Sequence, residues 1–169
     1  MQHVDSNDRD IDVVALWLRY DPKRWMAGAI AGFFAGLCMA GFAMVLSKAF
    51  LGDLLYPIKI AALPFFGGEA TDYAAPMRVL LTGFAFHSLL AVFWGVVFAH
   101  FAATNSMPGL LAMGLVWGAF CWVFITNLFS HSIPAVRAAH IPAGPAFFAN
   151  QVYGLSLASV AFFERMLKR

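Results

Sequence analysis

VLLTGFAFHSLLAVFWGVVFAHFAATNSMPGLLAMGLVWGAFCWVFITNLFSHSIPAV, residues 79–136, contains no Asp, Glu, Lys or Arg. Two further charge-free runs flank it, Trp25 to Ser47 and Ala138 to Phe163. A helix of about 20 apolar residues crosses the hydrocarbon core of a bilayer. Runs of this length placed back to back therefore describe a chain dissolved in lipid, not the core of a soluble domain. The central run is too long for one crossing, and within it only Thr104-Asn105-Ser106-Met107-Pro108-Gly109 has turn chemistry. Cutting there predicts four helices, at about 25–48, 78–102, 108–129 and 143–164. The expected fold class is all-α, an integral membrane bundle of four transmembrane helices. Composition agrees, with 62% hydrophobic and 12% charged residues against about 25% charged in a soluble domain.

Residues 1–24 hold Asp5, Asp8, Asp10, Asp12 and Asp21 beside Arg9, Arg19, Lys23 and Arg24. That mixture lacks the basic start and short apolar core of a secretory signal, and the segment reads as cytoplasmic. Ile11, Val14, Ala15 and Leu18, with Trp17 beside them, recur at the spacing of a helix lying on the membrane surface. Asp21-Pro22 reads as the cap and first position of the first span. Arg9, Arg19, Lys23, Arg24, Arg165, Lys168 and Arg169 lie outside the spans toward the termini, whereas Lys48, Lys59, Arg78 and Arg137 lie toward the two longer loops. Cytoplasmic loops are enriched in Lys and Arg, so both termini, including the basic tail 165–169, are expected in the cytoplasm. The net charge of +2 is a topology signal and gives no argument for nucleic acid.

Inside lipid, helices associate through close packing at small residues and through scarce polar contacts, because burial from water contributes nothing there. The first span offers Gly28, Gly32 and Gly36 at spacing four, with Ala27, Ala31 and Ala35 alongside. The second carries Gly83, His87, Ala91, Gly95 and Ala99 on one stripe, and the fourth carries Ala146, Asn150, Gly154 and Ala158. Gly114 and Gly118 lead to Cys121 in the third span as Gly32 and Gly36 lead to Cys38 in the first. These are glycine-zipper patterns, and they predict a parallel 2+2 repeat of one helix pair. Both outer connections are proline-rich: Pro57, Pro64 and Pro76 in one, Pro134, Pro142 and Pro145 in the other. Pro57 and Pro64 are expected to forbid a single regular helix in the first, which would then lie irregularly in the interface.

Ionisable and amide groups within a span are costly, and each is a candidate functional residue. Placed by depth, His87, Ser88, Asn127, Asn150 and Gln151 share the outer half, with Lys48 near its mouth. This is the candidate polar site. Against a ligand role for His87 and Asn150 stands the reading that both simply hydrogen-bond across helices. Haem or another tetrapyrrole is the sharper cofactor reading for His87, since Gly83 one turn earlier leaves room for a flat ring and imidazole is a common axial ligand. His100 sits 13 residues away, about 140° around the helix, so no two-histidine face exists. His131 and His140 match no zinc spacing. Asp53, Glu69 and Asp72 read as a solvated loop face. No phosphate loop, paired-histidine zinc helix or nucleophile elbow occurs.

The Gly-rich first span, the second span with His87 leading to Ala91 and Gly95, and the Asn150-Gln151-Val152-Tyr153-Gly154 start of the last resemble the small bacterial four-helix membrane proteins of unknown function related to YagU. The resemblance covers residues 25–163 and implies a bacterial inner-membrane location without implying a chemistry. Three functions fit the sequence: a non-catalytic subunit packed against a larger membrane complex, such as a respiratory one, with Phe and Trp facing lipid or partner; a small oligomeric transporter or channel component; and a haem-binding electron-transfer anchor using His87. The implied partners are the bilayer and either partner subunits or further copies of the chain. A cysteine placed in the 131–141 loop should react with an impermeant thiol reagent added to intact cells. Protection of that residue would reverse the orientation.

Overall fold

Asp21 and Pro22 begin the first helix as their chemistry requires. The Asp21 carboxylate accepts the Arg24 backbone N–H at 3.1 Å, and Pro22 occupies the first turn, where its missing N–H costs nothing. This helix, α1, runs Pro22–Leu51 and stops at Gly52, whose positive φ of 74° lets its N–H return to the Lys48 carbonyl. The computed structural model describes residues 18–139 and 142–169. The surface helix expected around Ile11 to Leu18 falls almost wholly outside them. After α1 come α2 (Tyr56–Phe66), α3 (Met77–Phe101), α4 (Met107–Phe124), the short α5 (Pro134–Ala138), α6 (Ala143–Ser156) and α7 (Val160–Leu167). Every regular element among the described residues is helical. Four helical stretches are long and apolar enough to cross a membrane: Pro22–Leu51, Met77–Phe101, Met107–Leu128 and Ala143–Leu167.

The first span is the hub. It packs along α3 on one side and along α6 and α7 on the other, while α4 packs on α6. At the α1–α3 contact the backbones touch. A Cβ added at Gly28 would lie 2.5 Å from Ala99 Cβ and 2.7 Å from the Gly95 carbonyl oxygen, and one at Gly32 would meet the Ala91 carbonyl. A Cβ at Gly95 would lie 2.5 Å from Gly32 Cα. The α4–α6 contact uses the same currency: Gly118 faces the Asn150 carbonyl, and Gly114 and Gly154 face each other's backbone. By contrast α3 and α4, though joined by the short Ala102–Ser106 connection, keep their backbones apart. Aromatic side chains span that seam. Trp94 meets Phe124, Phe120 and Trp117 edge-on at centroid distances of 5.1, 5.7 and 5.9 Å, and Phe98 meets Trp117 at 5.9 Å. Trp94 and Trp117 thus turn inward and are half-buried, although lipid or a partner was the expectation for them; Phe33, Phe34, Phe84 and Phe93 do face outward.

At the end of the bundle nearer the chain termini, Arg24 is only 3% exposed. Its guanidinium donates to the carbonyls of Ala99 at 2.8 Å and Ala102 at 2.9 Å, to Asn105 Oδ1 at 2.6 Å and to Glu164 Oε2 at 2.8 Å. The last carbonyls of a helix lack intrahelical donors and carry partial negative charge, so this side chain satisfies the end of α3 while pairing with α7. Arg19 adds bonds to the Ala99 and His100 carbonyls. Lys168 gives Glu164 a second partner at 2.5 Å.

The opposite end overturns one expectation. Tyr56–Phe66 forms one regular helix despite both prolines: Pro57 falls in the first turn, and Pro64 lies so near the end that only one interior hydrogen bond is lost. This helix folds back on α3 at Gly83, where an added Cβ would collide with the Ile58 carbonyl. Substituting Gly32 with Ala should therefore force α1 and α3 apart and lower the detergent-solubilised protein's melting temperature by the equivalent of about 1–3 kcal/mol. Gly41, which has nothing within 4 Å of an added Cβ, is the control, and Gly41→Ala should be neutral or stabilising by up to about 1 kcal/mol. Equal effects of the two changes would remove the contact from its central place.

Candidate functional site: an apolar cavity under the long loops

The separation of α3 and α4, combined with the fold-back of α2, leaves a half-open cavity of about 260 Å³ in the half of the bundle nearest the long loops. Each span supplies a wall. Met39, Ala43 and Ser47 come from α1, Phe86, His87 and Trp94 from α3, Cys121 and Phe124 from α4, and Ala149, Asn150 and Tyr153 from α6. The roof is made by the two proline-rich connections, through Tyr56, Pro57 and Pro64 on one side and Val136, Pro142 and Pro145 on the other. Among the described residues, no Asp, Glu, Lys or Arg lines it. An apolar cavity of about 150 Å³ stays dry and admits benzene, so this one has room for an apolar chain or ring and little attraction for water.

Four polar side chains interrupt the apolar wall. His87 Nε2 lies 3.0 Å from the Gly36 carbonyl; a carbonyl only accepts, so Nε2 carries the hydrogen, and in the tautomer this bond selects Nδ1 is the ring's acceptor. Asn150 donates from Nδ2 to the Ala146 carbonyl at 2.8 Å, which leaves Oδ1 as a second acceptor. Tyr153 donates its hydroxyl hydrogen to the Ala91 carbonyl at 2.7 Å. Ser47, 7% exposed, has no partner for its hydroxyl among the described residues.

Of the six residues placed together by depth, only His87 and Asn150 reach this cavity. His87 makes an interhelical bond, whereas Asn150 bonds within its own helix, because the carbonyl four residues back lies within its reach. The amide of Gln151 instead faces α4, donating to the Leu115 carbonyl and accepting from Ala119 N–H, both at 3.1 Å. Lys48 caps its own helix through the Gly52 carbonyl at 3.1 Å, and Ser88 is half-buried outside the cavity wall. Asn127 is exposed in a π-helical turn, Ile125–Phe129, that ends the third span. There Asn127 Nδ2 takes the Val123 carbonyl at 2.9 Å and Thr126 Oγ1 takes that of Trp122 at 2.7 Å. Widened turns of this kind concentrate at functional sites, and this one begins at Ile125 in the cavity wall. Ser47, Trp94 and Tyr153 were not singled out from the sequence. Their signal is faint, since Ser and Tyr are ordinary in membrane helices and the facing of each residue depends on how the helices rotate.

The space beside Gly83 that would admit a flat tetrapyrrole is filled by Ile58 of α2, and the His87 nitrogen Nε2 is engaged by Gly36. The notch beside Gly83 therefore has no room for a tetrapyrrole, while the bond to Gly36 leaves His87 Nδ1 unengaged. Among the described residues no group of three or more His, Cys, Asp or Glu is placed to hold a metal ion. Cys38 and Cys121 are both free thiols.

The roof is held by Lys59, which is 2% exposed and donates to Asp53 Oδ2 at 2.7 Å and to the carbonyls of Asp72 and Tyr73 at 2.9 and 3.0 Å. Of the three acidic residues expected on a solvated loop face, Asp72 and Glu69 are exposed, Glu69 pairing there with Arg78, and only the Asp53 carboxylate turns to Lys59, to which Asp72 lends its backbone carbonyl. Tyr56 then ties the two connections together, donating its hydroxyl to the Ala139 carbonyl at 3.0 Å.

No family model matches this sequence, and no curated protein or solved structure is detectably similar to it.

Partial burial alone would raise the Asp53 pKa, but the hydrogen bonds from Lys59 and the Leu55 N–H, with the charges of Lys59 and Lys48, hold it below its ordinary 3.8. A carboxylate with a depressed folded pKa contributes stability above the unfolded value, and that contribution is lost as pH falls through the folded one. The 53–73 roof segment should accordingly resist pepsin better in the wild type than in Asp53→Asn at about pH 5, with the difference fading as the pH falls well below the ordinary 3.8. A difference that persists in acid would show that the ion pair does not hold the roof.

Proposed function

We propose that this is a non-catalytic, multi-pass protein of the bacterial inner membrane, with both termini cytoplasmic, that holds an apolar ligand in its outer half and works packed beside larger membrane proteins. The observation that carries the reading is the cavity: about 260 Å³ of uncharged space, roofed by two loops that a lysine and a tyrosine fasten down. Ligand sites are typically apolar concavities with a few placed polar groups, and His87, Asn150, Tyr153 and Ser47 have that distribution. The non-catalytic assignment rests on the same chemistry. Among the described residues no acid-base pair or activated nucleophile borders the cavity, and the buried charges Arg24, Glu164 and Lys59 are engaged in structural bonds.

The organisation as a doubled helix pair belongs to this proposal. Two contacts of the same kind, Gly28 to Gly36 on the 91–99 stretch and Gly114 to Gly118 on the 150–154 stretch, support it, and a cavity between two repeats is a common arrangement in membrane transport proteins. The kinship to YagU-like proteins also remains a proposal, resting on the small-residue patterns of the spans. The function predicts that protein purified in mild detergent retains a specific apolar molecule, detectable by mass spectrometry of its organic extract. Ala43→Phe and Ala61→Phe, which project bulk from the cavity wall, should each remove it while the melting temperature stays within a few degrees of the wild type. Retention of the same molecules by both variants would place the bound lipid on the outer surface and defeat the proposal.

A further inference from the structure

Resting on the cavity being a ligand site, we propose that its ligand is a neutral lipid bearing a hydroxyl head, either a lipid alcohol or a quinol, whose hydroxyl donates to His87 Nδ1 or Asn150 Oδ1. Charge comes first. Among the described residues the wall contains no Asp, Glu, Lys or Arg, and an ionised phosphate, carboxylate or ammonium buried without a counter-charge is prohibitively costly. Phospholipid heads, fatty-acid anions and cationic amphiphiles are therefore excluded from its interior, although their tails are chemically compatible with it.

The inventory of polar atoms then selects among neutral heads. Tyr56 and Tyr153 have already donated their hydroxyl hydrogens, to Ala139 and Ala91. His87 has spent its only N–H on Gly36, and Asn150 has spent one of its two on Ala146. What the wall still offers are two unspent acceptor sites, His87 Nδ1 and Asn150 Oδ1, beside donors on Trp94 Nε1, the second Asn150 N–H and the unpartnered Ser47 hydroxyl; a hydroxyl head can both donate and accept. A ketone, ether, ester or oxidised quinone supplies only acceptors and would leave those sites unfilled, whereas a hydroxyl donates to them. Buried acceptors left unmatched discriminate strongly between ligands.

Access suits the same molecule. Leu90 and Trp94 of α3 face Cys121, Phe124 and Ile125 of α4 across the wall, in the seam where the two backbones stand apart and the Trp94–Phe124 edge contact closes the gap. A neutral lipid already dissolved in the bilayer reaches that wall sideways through hydrocarbon, by displacement of aromatic side chains alone.

The test compares matched pairs on the full chain in nanodiscs: farnesol against farnesyl methyl ether, and a short-tailed ubiquinol against its dimethyl ether, with binding measured by calorimetry. Each hydroxyl compound should bind about tenfold more tightly than its ether, the value of one hydrogen bond of about 1.4 kcal/mol, and the pair showing the larger ratio identifies the head. His87→Gln, whose amide can donate to Gly36 and keep an acceptor, should retain the preference, while His87→Leu or Asn150→Leu should reduce it. Equal binding of alcohol and ether by the wild type overturns the hydroxyl assignment and leaves the apolar cavity standing; failure of all four compounds to bind overturns both. The wild-type comparison needs no variant to fold.

Discussion

The architecture depends on one contact, the backbone-to-backbone approach of the first and second spans where Gly28 and Gly32 meet Gly95 and the Ala91 carbonyl. In lipid no hydrophobic force draws two apolar helices together, so their affinity comes from dispersion over a close interface and from polar bonds made within it. With Gly32 set against the Ala91 carbonyl and Gly95 against Gly32 Cα, there is no room for any side chain between them. The same closeness brings His87 within 3.0 Å of the Gly36 carbonyl, so the interior histidine is positioned as a by-product of the glycine contact.

Close packing on one side of α3 is matched by looseness on the other. Large aromatic residues face α4, and Trp94 and Trp117 hold the two helices at a distance that small residues would have closed. Above them, α2 lies on α3 only because Gly83 admits the Ile58 carbonyl. A tight contact, a propped seam and a folded-back helix together leave the cavity. Its apolar character then follows from the span compositions, and its unspent acceptors follow from which carbonyls the neighbouring side chains reach.

How much of this could be read in advance differs by residue. Asp21-Pro22 as the helix start was legible, because cap and first-turn chemistry is local. Arg24 was legible only as one of several basic residues flanking a span, yet it is buried and bonded to α3, α7 and the Asn105 turn; nothing near it in sequence names those partners. Pro57 and Pro64 suggested a broken segment, and their positions at the two ends of one helix reversed that. Of the six residues grouped by depth as a candidate polar site, His87 and Asn150 line the cavity, while Lys48, Ser88, Asn127 and Gln151 do not. Depth comes from counting along a helix, but facing comes from the rotation of each helix against its neighbours.

The sequence by itself determined the solvent and the repertoire: four stretches without charge, each long enough to cross a bilayer, with small residues at spacing four and a few polar groups among them. These are properties of composition and period, and a chain shows them before it folds. Only the tertiary structure decided that α3 and α4 stand apart, that α2 turns back as a roof, and that His87 and Asn150 keep an acceptor each in the same half-open cavity. Those outcomes depend on which backbone atoms come within hydrogen-bonding and van der Waals range across distant parts of the chain, and no local pattern of residues encodes that distance.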